Sequence, residues 1–182
     1  MKKLILPLLL LAIIATLFLR FIEVDVAAPA KTPPPKNCLE AADPSGKAVD
    51  PNGEPLATCA ELEAINQAYQ KDVKPIFAAK CLMCHGTVNK MPLYSKVPPI
   101  SFLVNHDIEE AQEHADMTFD FPFSGKHIKA PQEGLEDLIE VVQENDMPPF
   151  IYKTMHWKSG LSPEESKIIL EWARAGLKTL HD

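Results

Sequence analysis

The chain has 182 residues and a formal net charge of −7 at pH 7, with hydrophobic (46%) and charged (24%) contents that are ordinary for a globular protein. This length predicts one compact domain with extensions, and 17 prolines against seven glycines predict stiff connecting segments. The acidic balance argues against nucleic acid as a partner, because binding to phosphates needs the opposite charge.

Residues 1–26 are predicted to be a signal or anchor segment, because two lysines precede an uncharged apolar run over residues 4–19. Extended to Ile22, the run would span about 28 Å as a helix, close to the thickness of the hydrocarbon layer of a membrane. Two interpretations compete: cleavage at Ala28-Pro29-Ala30, or an uncleaved inner-membrane anchor. The anchor is preferred, since Arg20 and two acidic residues separate the run from the cleavage site.

Residues 27–57 are predicted to be a proline-rich linker outside the cytoplasm. Four of the eight residues 28–35 are prolines, which favours an extended and semi-rigid chain. Cys38 lies in this linker and Cys59 lies just beyond it. In an oxidising compartment a disulfide between these two cysteines is expected, and a pair of free thiols is the alternative.

The folded domain is predicted to occupy residues 58–182 and to be helical. Thr58-Cys59-Ala60-Glu61 has the pattern of a capping box that opens a helix, which Asp72 and Pro75 should interrupt. A short helix with Pro75 near its first turn is predicted to lead into Cys81. Three more helices are predicted: residues 106–115 with Asn105 as the cap, residues 132–145, and a last helix from Ser162 with Pro163 in its first position.

Two apolar sets complete the predicted core. Residues 118–123 contain three phenylalanines, which are most simply a hydrophobic wall. The last helix is expected to bury one face, made of Ile168, Ile169, Trp172, Ala173, Ala175 and Gly176.

Cys81-Leu82-Met83-Cys84-His85 carries the clearest chemistry in the chain. Two thiols separated by two residues lie along one helical turn and can form thioether bonds with the two vinyl groups of haem, while the adjacent histidine supplies an imidazole nitrogen to the iron. A thioredoxin-like motif would need a βαβ pattern, and a four-cysteine zinc site would need a second C-x-x-C. Neither is present, so the sequence predicts one covalent haem c.

Met147 is predicted to be the second axial ligand of the iron. It follows His85 by 62 residues and precedes Pro148-Pro149. A thioether suits low-spin haem iron, and the two prolines would stiffen the loop that holds it. The alternative is a core methionine beside a turn, and Met117, Met155 and His106 are rival ligands.

The order of helix, C-x-x-C-H, loop, helix, Met-Pro and terminal helix resembles the class I cytochrome c fold, and most closely the small bacterial haem-binding family. The resemblance rests on residues 73–77, 105–106, 146–149 and 161–173, and it covers residues 60–180. It implies an all-α domain around one haem, acting in electron transfer or haem sensing. It also implies the bacterial periplasm, because c-type haem is attached on the outer face of the inner membrane.

The expected function is that of a membrane-tethered periplasmic mono-haem cytochrome that carries single electrons between redox partners. The acidic charge predicts partner proteins with a basic docking patch. The alternatives are a haem sensor, or a peroxidase-like enzyme in which the sixth position of the iron is open or its ligand is displaceable.

Overall fold

The protein is mostly helical in this computed structural model, which describes residues 47–49, 55–87, 91 and 93–181. The predicted anchor, most of the predicted linker and Cys38 lie outside the described residues. In the part of the chain that is described, no helix is both long enough and apolar enough to cross a membrane. The described residues divide into two compact units, one of residues 91–104 and one of the remaining described residues.

Two short strands precede the helices. Strand β1 (Lys47–Val49) pairs antiparallel with β2 (Pro55–Thr58), and Lys47 lies opposite Thr58. Most of this ladder falls in the segment for which an extended linker was predicted. The all-α prediction is therefore correct for the helical domain but missed this pair of strands.

Helix α1 (Cys59–Ala68) begins at the predicted capping box. The Thr58 hydroxyl accepts a hydrogen bond from the Glu61 backbone N–H at 3.2 Å, and the Glu61 carboxylate accepts one from the Thr58 N–H at 2.7 Å. These reciprocal bonds satisfy two N–H groups that the first turn leaves without helical partners.

The predicted interruption at Asp72 is replaced by a π-helical turn (Tyr69–Val73), which leads directly into α2 (Lys74–Lys80). Pro75 lies in the first turn of α2. Both end residues of the π turn, Tyr69 and Val73, face the core, where they are fully buried.

Helix α3 (Leu82–His85) follows α2 and carries the end of the C-x-x-C-H motif. The remaining helices are α4 (Ile100–His114), α5 (Pro131–Glu144), α6 (Phe150–Met155) and α7 (Pro163–His181), and a short 3₁₀ turn (Leu93–Lys96) precedes α4.

Helix α4 begins five residues before the predicted Asn105 cap. The Ser101 N–H already donates to the Val97 carbonyl at 3.1 Å, so the first helical turn forms directly after the Pro98-Pro99 pair. Asn105 is therefore an exposed residue inside the helix, and its assignment as a cap was wrong. The two prolines separate the 3₁₀ turn from the helix, and they set the helix start.

Helices α5 and α7 pack along each other and close the core. The predicted cap of α7 is confirmed, because the Ser162 hydroxyl and the Glu165 carboxylate exchange hydrogen bonds with each other's backbone N–H groups. Gly176 lies at the crossing, where a Cβ atom would stand 2.9 Å from the Leu135 Cδ1 atom. The predicted buried face was too wide, since Ile168 and Ala175 are exposed.

The centre of the core is aromatic. Two of the three phenylalanines predicted as a wall, Phe121 and Phe123, are buried here, and the Trp172 indole N–H donates to the Ile65 carbonyl at 3.1 Å. Neighbouring rings stand 5.5–6.3 Å apart in tilted, stacked and edge-to-face pairs formed by Tyr69, Phe77, Phe121, Phe123 and Trp172.

Candidate haem site

The two motif cysteines lie on one helical turn. The Cys81 N–H donates to the Phe77 carbonyl at 2.8 Å, so the turn continues α2, and the Cys84 N–H donates back to the Cys81 carbonyl at 3.1 Å. Both residues are free thiols. The structure therefore places both cysteines and the following histidine on one helical turn.

Burial raises the pKa of both motif thiols above its ordinary value. Removal from water, with a smaller contribution from Cys84, raises the pKa of Cys81 to about 12. Burial is also the main cause that raises the pKa of Cys84, and the Asp107 carboxylate adds to it.

His85 is held as a neutral imidazole with one nitrogen available. Its Nδ1 lies 2.8 Å from the Ala115 carbonyl oxygen, which can only accept, so Nδ1 carries the proton and Nε2 keeps a free lone pair. Burial lowers the pKa of His85, although the hydrogen bond to Ala115 opposes that shift. A neutral histidine whose other nitrogen is fixed by a carbonyl fits the requirements of a proximal iron ligand.

The last turn of α4 and the short segment after it also fix the backbone of the haem motif. The Met117 N–H donates to the His85 carbonyl at 2.8 Å, and Asp116 forms an antiparallel bridge with Ser124. The Gln112 side chain donates to the Gly86 carbonyl at 3.0 Å. The imidazole and the main chain of His85 are thus held by neighbouring residues of one segment.

Met147 lies in the loop between α5 and α6. Helix α5 ends at Asn145, which adopts a left-handed conformation with φ of 55°. The Met147 side chain is 42% exposed, whereas that of Met117 is 7% exposed and belongs to the core. The alternative of a core methionine at position 147 is therefore wrong.

The chain that follows Met147 is attached to the haem motif at two points. The Tyr152 hydroxyl of α6 lies 3.6 Å from the sulfur of Met83, the residue just before Cys84. The Lys80 ammonium donates to the carbonyls of Lys158 and Gly160 at 2.8 and 3.0 Å. The loop bearing Met147 thus leads directly into a segment that packs against the C-x-x-C-H turn.

The rival ligands occupy different places. The backbone N–H of Met117 donates to the His85 carbonyl, which places Met117 beside the predicted proximal ligand. His106 is an exposed residue of α4, and Met155 is the last residue of α6. Of the predicted disulfide, Cys59 is the first residue of α1 and is disulfide-bonded. Its predicted partner Cys38 lies outside the described residues, so that pairing stays a prediction.

Three contributors to the site were missed by sequence reasoning: the Ala115 carbonyl, the Tyr152 hydroxyl and the Lys80 ammonium. A backbone carbonyl leaves no signal in a sequence. Lys80 is adjacent to Cys81 and Tyr152 follows Met147 by five residues, so only their position beside the two ligand candidates could have drawn attention to them.

The fold and the site define a helical haem-binding protein. The chain belongs to the family described as "Haem-binding domain", whose family model matches residues 48–175. The matched range begins at the β1–β2 ladder and includes the whole C-x-x-C-H site, which confirms the resemblance to a haem-binding family.

One curated relative is similar to part of the chain. The cytochrome c peroxidase Ccp of Escherichia coli (strain K12) is 29% identical over 99 residues. These residues make up 50% of this chain but 20% of that protein, so the chain matches one fifth of the length of the relative. No solved structure matches the chain.

Proposed function

We propose that this protein is a mono-haem c-type cytochrome that transfers single electrons. In this proposal, Cys81 and Cys84 bind the haem covalently, and His85 and Met147 are the two axial ligands of the iron. The observation that carries the proposal is the contact between Tyr152 and Met83, which attaches the loop of Met147 to the turn of the haem motif.

The contact limits the distance between the two predicted ligands. Tyr152 follows Met147 by five positions, and such a segment spans at most about 17 Å even when fully extended. Residues 150–152 are helical, which shortens the segment further. Because the Met147 side chain is not used in the core, its sulfur is available to a group bound at the motif.

The haem, when bound, supplies the one-electron couple of its iron. The chain's own residues keep the coordination constant between the two oxidation states. The hydrogen bond from Nδ1 to the Ala115 carbonyl fixes the tautomer and orientation of His85. Pro148 and Pro149 restrict the loop that carries Met147. Two bound axial ligands would leave no position on the iron for a substrate.

Location and partners follow from the rest of the chain. We infer that residues 1–26 hold the protein at the inner membrane with the haem domain in the periplasm, or that they are removed as a signal peptide. The net charge of −7 favours redox partners with a basic docking patch, with association that weakens as salt is added.

A haem sensor or peroxidase-like enzyme is the second candidate, and the similarity to the cytochrome c peroxidase Ccp favours it. That similarity covers 20% of the relative, so it does not by itself assign peroxidase activity to this chain. An enzyme of this kind would need an open sixth position on the iron, which requires Met147 to be unbound or displaced.

Optical spectroscopy of the purified protein separates the two candidates. The carrier should show a low-spin haem with a methionine-to-iron charge-transfer band in the oxidised form, and the reduced form should not bind carbon monoxide. Haem that resists extraction with acidified acetone would establish covalent attachment. A five-coordinate high-spin haem that binds carbon monoxide at once would refute the carrier and support the enzyme or sensor.

A further inference from the structure

His114 and His127 lie side by side at the protein surface. Their ring centroids are 5.9 Å apart, and the two ring planes are tilted by 33°. Both side chains are exposed, and within the described part of the chain neither imidazole has a hydrogen-bond partner. Each neutral ring therefore has a nitrogen lone pair that the rest of the described protein does not use.

The main chain fixes the two histidines relative to each other. The Lys126 N–H donates to the Glu113 carbonyl at 2.6 Å, so the residues next to both histidines are bonded together. Gly125 approaches His114 so closely that an added Cβ atom would overlap the His114 carbonyl oxygen. Because the backbone already brings the rings together, a ligand that binds between them needs to order little of the chain.

The separation of the rings suits two ligands of one metal ion. An imidazole nitrogen binds Zn²⁺ at about 2.0–2.1 Å, which places the ion about 3.2 Å from the ring centroid. Two rings on one ion then have centroids about 4.5–6.4 Å apart, from a right-angled to a linear arrangement. The observed 5.9 Å lies within this range. The χ2 angle of histidine is broad, so each exposed ring can turn a nitrogen toward a shared ion.

The charge around the pair favours a cation. Residues 109–133 include six acidic residues and two basic residues. Lys126 lies on the rim of the cleft between the rings, but its ammonium is paired with the Glu113 carboxylate at 3.7 Å. Glu110 precedes His114 by four positions on α4, which places the two residues on the same face of the helix. The acidic excess of the segment raises the local concentration of cations.

The ligand types indicate which cation is bound. Two imidazoles favour a transition metal, whereas Ca²⁺ and Mg²⁺ prefer oxygen ligands. In the described part of the chain no group of three or more His, Cys, Asp or Glu side chains could hold a metal ion, so water would complete the coordination. We propose that His114 and His127 together bind one divalent transition-metal ion, with Cu²⁺ bound more tightly than Zn²⁺ according to the Irving–Williams order.

The test titrates Cu²⁺ and Zn²⁺ separately into the full, untagged chain loaded with ferric haem. Isothermal titration calorimetry measures the affinity and the number of ions bound, and electron paramagnetic resonance of the copper form detects the nitrogen ligands. We expect one ion per chain, a higher affinity for Cu²⁺ than for Zn²⁺, and couplings from two imidazole nitrogens.

Substitution of either histidine should weaken the binding. His114→Ala and His127→Ala should each reduce the affinity at least tenfold, because each leaves a single imidazole and breaks the chelate. The double variant should bind little more weakly than either single variant, since the two substitutions remove the same interaction. The matched control is His106→Ala, which removes another exposed histidine of α4 and should bind like the wild type.

Several results would overturn the proposal. Absence of measurable binding would do so, and so would an unchanged affinity in either single variant or an equal loss in His106→Ala. An altered haem spectrum in metal-free His114→Ala or His127→Ala would assign the pair to the haem site instead. Electron transfer plays no part in these measurements, so their outcome does not depend on the proposed function.

Discussion

The Tyr152 hydroxyl lies 3.6 Å from the Met83 sulfur, so helix α6 contacts the haem motif at a residue between its two cysteines. The pair is separated by 69 positions in the chain. Sulfur is a weak acceptor, so the hydrogen bond itself contributes little stability. The contact matters because it places the loop of Met147 next to the site at which the haem is expected to bind.

Replacing Met147 with alanine should leave the haem attached but change the iron. Loss of the thioether is expected to shift the iron toward high spin and to lower its reduction potential, because methionine ligation favours the reduced state. The ferrous variant should then bind carbon monoxide readily. Absorption spectra, a redox titration and carbon monoxide binding measure these effects.

The rival ligands provide the controls for this change. His106→Ala, Met155→Ala and Met117→Leu should keep the wild-type spectrum, the last being conservative because Met117 is buried in the core. A Met147→Ala protein with unchanged spectrum and potential would be incompatible with the proposed ligand. The control that lost the low-spin spectrum would then identify the residue that binds the iron.

Removing the Lys80 ammonium should loosen the segment that follows α6. Lys80→Met keeps the apolar stem but leaves the Lys158 and Gly160 carbonyls without their charged donor, at an expected cost of about 2 kcal/mol in the free energy of unfolding. We also expect the ferrous variant to bind carbon monoxide, which the ferrous wild type should not, because the loop of Met147 opens more often. Denaturant unfolding and mixing of the ferrous protein with carbon monoxide measure the two effects.

Lys74→Met is the matched control for the Lys80 variant. Lys74 lies on the same helix and pairs with Asp120 at 2.8 Å, but its side chain is more exposed and is not bonded to the segment after α6. Its loss should cost less than 1 kcal/mol and leave carbon monoxide binding unchanged. Equal effects of the two substitutions on carbon monoxide binding would show that Lys80 has no special role beside Met147.

Gly176→Ala should destabilise the packing of α5 against α7. The new methyl group would stand 2.9 Å from Leu135 Cδ1 and 3.3 Å from Ile65 Cγ2, and both side chains are buried and cannot move away freely. Overpacking costs about 1–3 kcal/mol, which exceeds the gain of about 1 kcal/mol in helix propensity. Thermal unfolding should show a melting temperature lower by several degrees.

The matched glycine is Gly160, because an added Cβ there meets no atom within 4 Å. Gly160→Ala should keep the melting temperature of the wild type, and neither alanine should alter the haem spectrum. If Gly176→Ala were as stable as the wild type, the close crossing of the two helices at this position would be wrong.

Tyr69 should make the protein sensitive to alkaline pH. Burial, together with the nearby Asp120 carboxylate, raises the pKa of the Tyr69 phenol above its ordinary value of about 10. Above pH 10 the unfolded chain loses this proton while the folded chain keeps it, so the stability contributed by Tyr69 is complete below pH 10 and falls as the pH rises further.

Tyr69→Phe should remove this part of the alkaline loss. Unfolding curves recorded from pH 8 to pH 11 should fall less steeply for the variant than for the wild type, even if the variant is less stable at pH 8. Tyr94→Phe, which changes an exposed tyrosine, should follow the wild-type slope. Parallel slopes for all three proteins would contradict the buried phenol as their cause.

The elements that the sequence predicted correctly depend on neighbouring residues. The capping boxes at Thr58 and Ser162 each involve residues three positions apart, and the C-x-x-C-H turn is contained in five residues. The wrong cap at Asn105 has a local cause too, because α4 starts directly after the Pro98-Pro99 pair, five residues before Asn105.

The contacts that complete the site join distant positions, and this is why the sequence did not predict them. His85 meets the Ala115 carbonyl 30 residues later, and Lys80 meets Gly160 80 residues later. The sequence could not predict the width of the buried face of α7 either. Whether Ile168 or Ile169 is covered depends on how α7 is rotated about its axis against α5. These two residues are adjacent in the chain, yet Ile169 is buried and Ile168 is exposed.

The hydrogen bonds between residues 115–117 and His85 affect the order in which parts of the protein unfold. This segment is paired with Ser124 and continues into Phe121 and Phe123 of the aromatic core, so its release requires the core to open. The loop of Met147 is held instead by contacts near the surface, and regions with few buried contacts open at lower free energy. If His85 and Met147 are the two axial ligands, Met147 should therefore leave the iron in a local event under mild denaturant, whereas His85 should be retained until global unfolding.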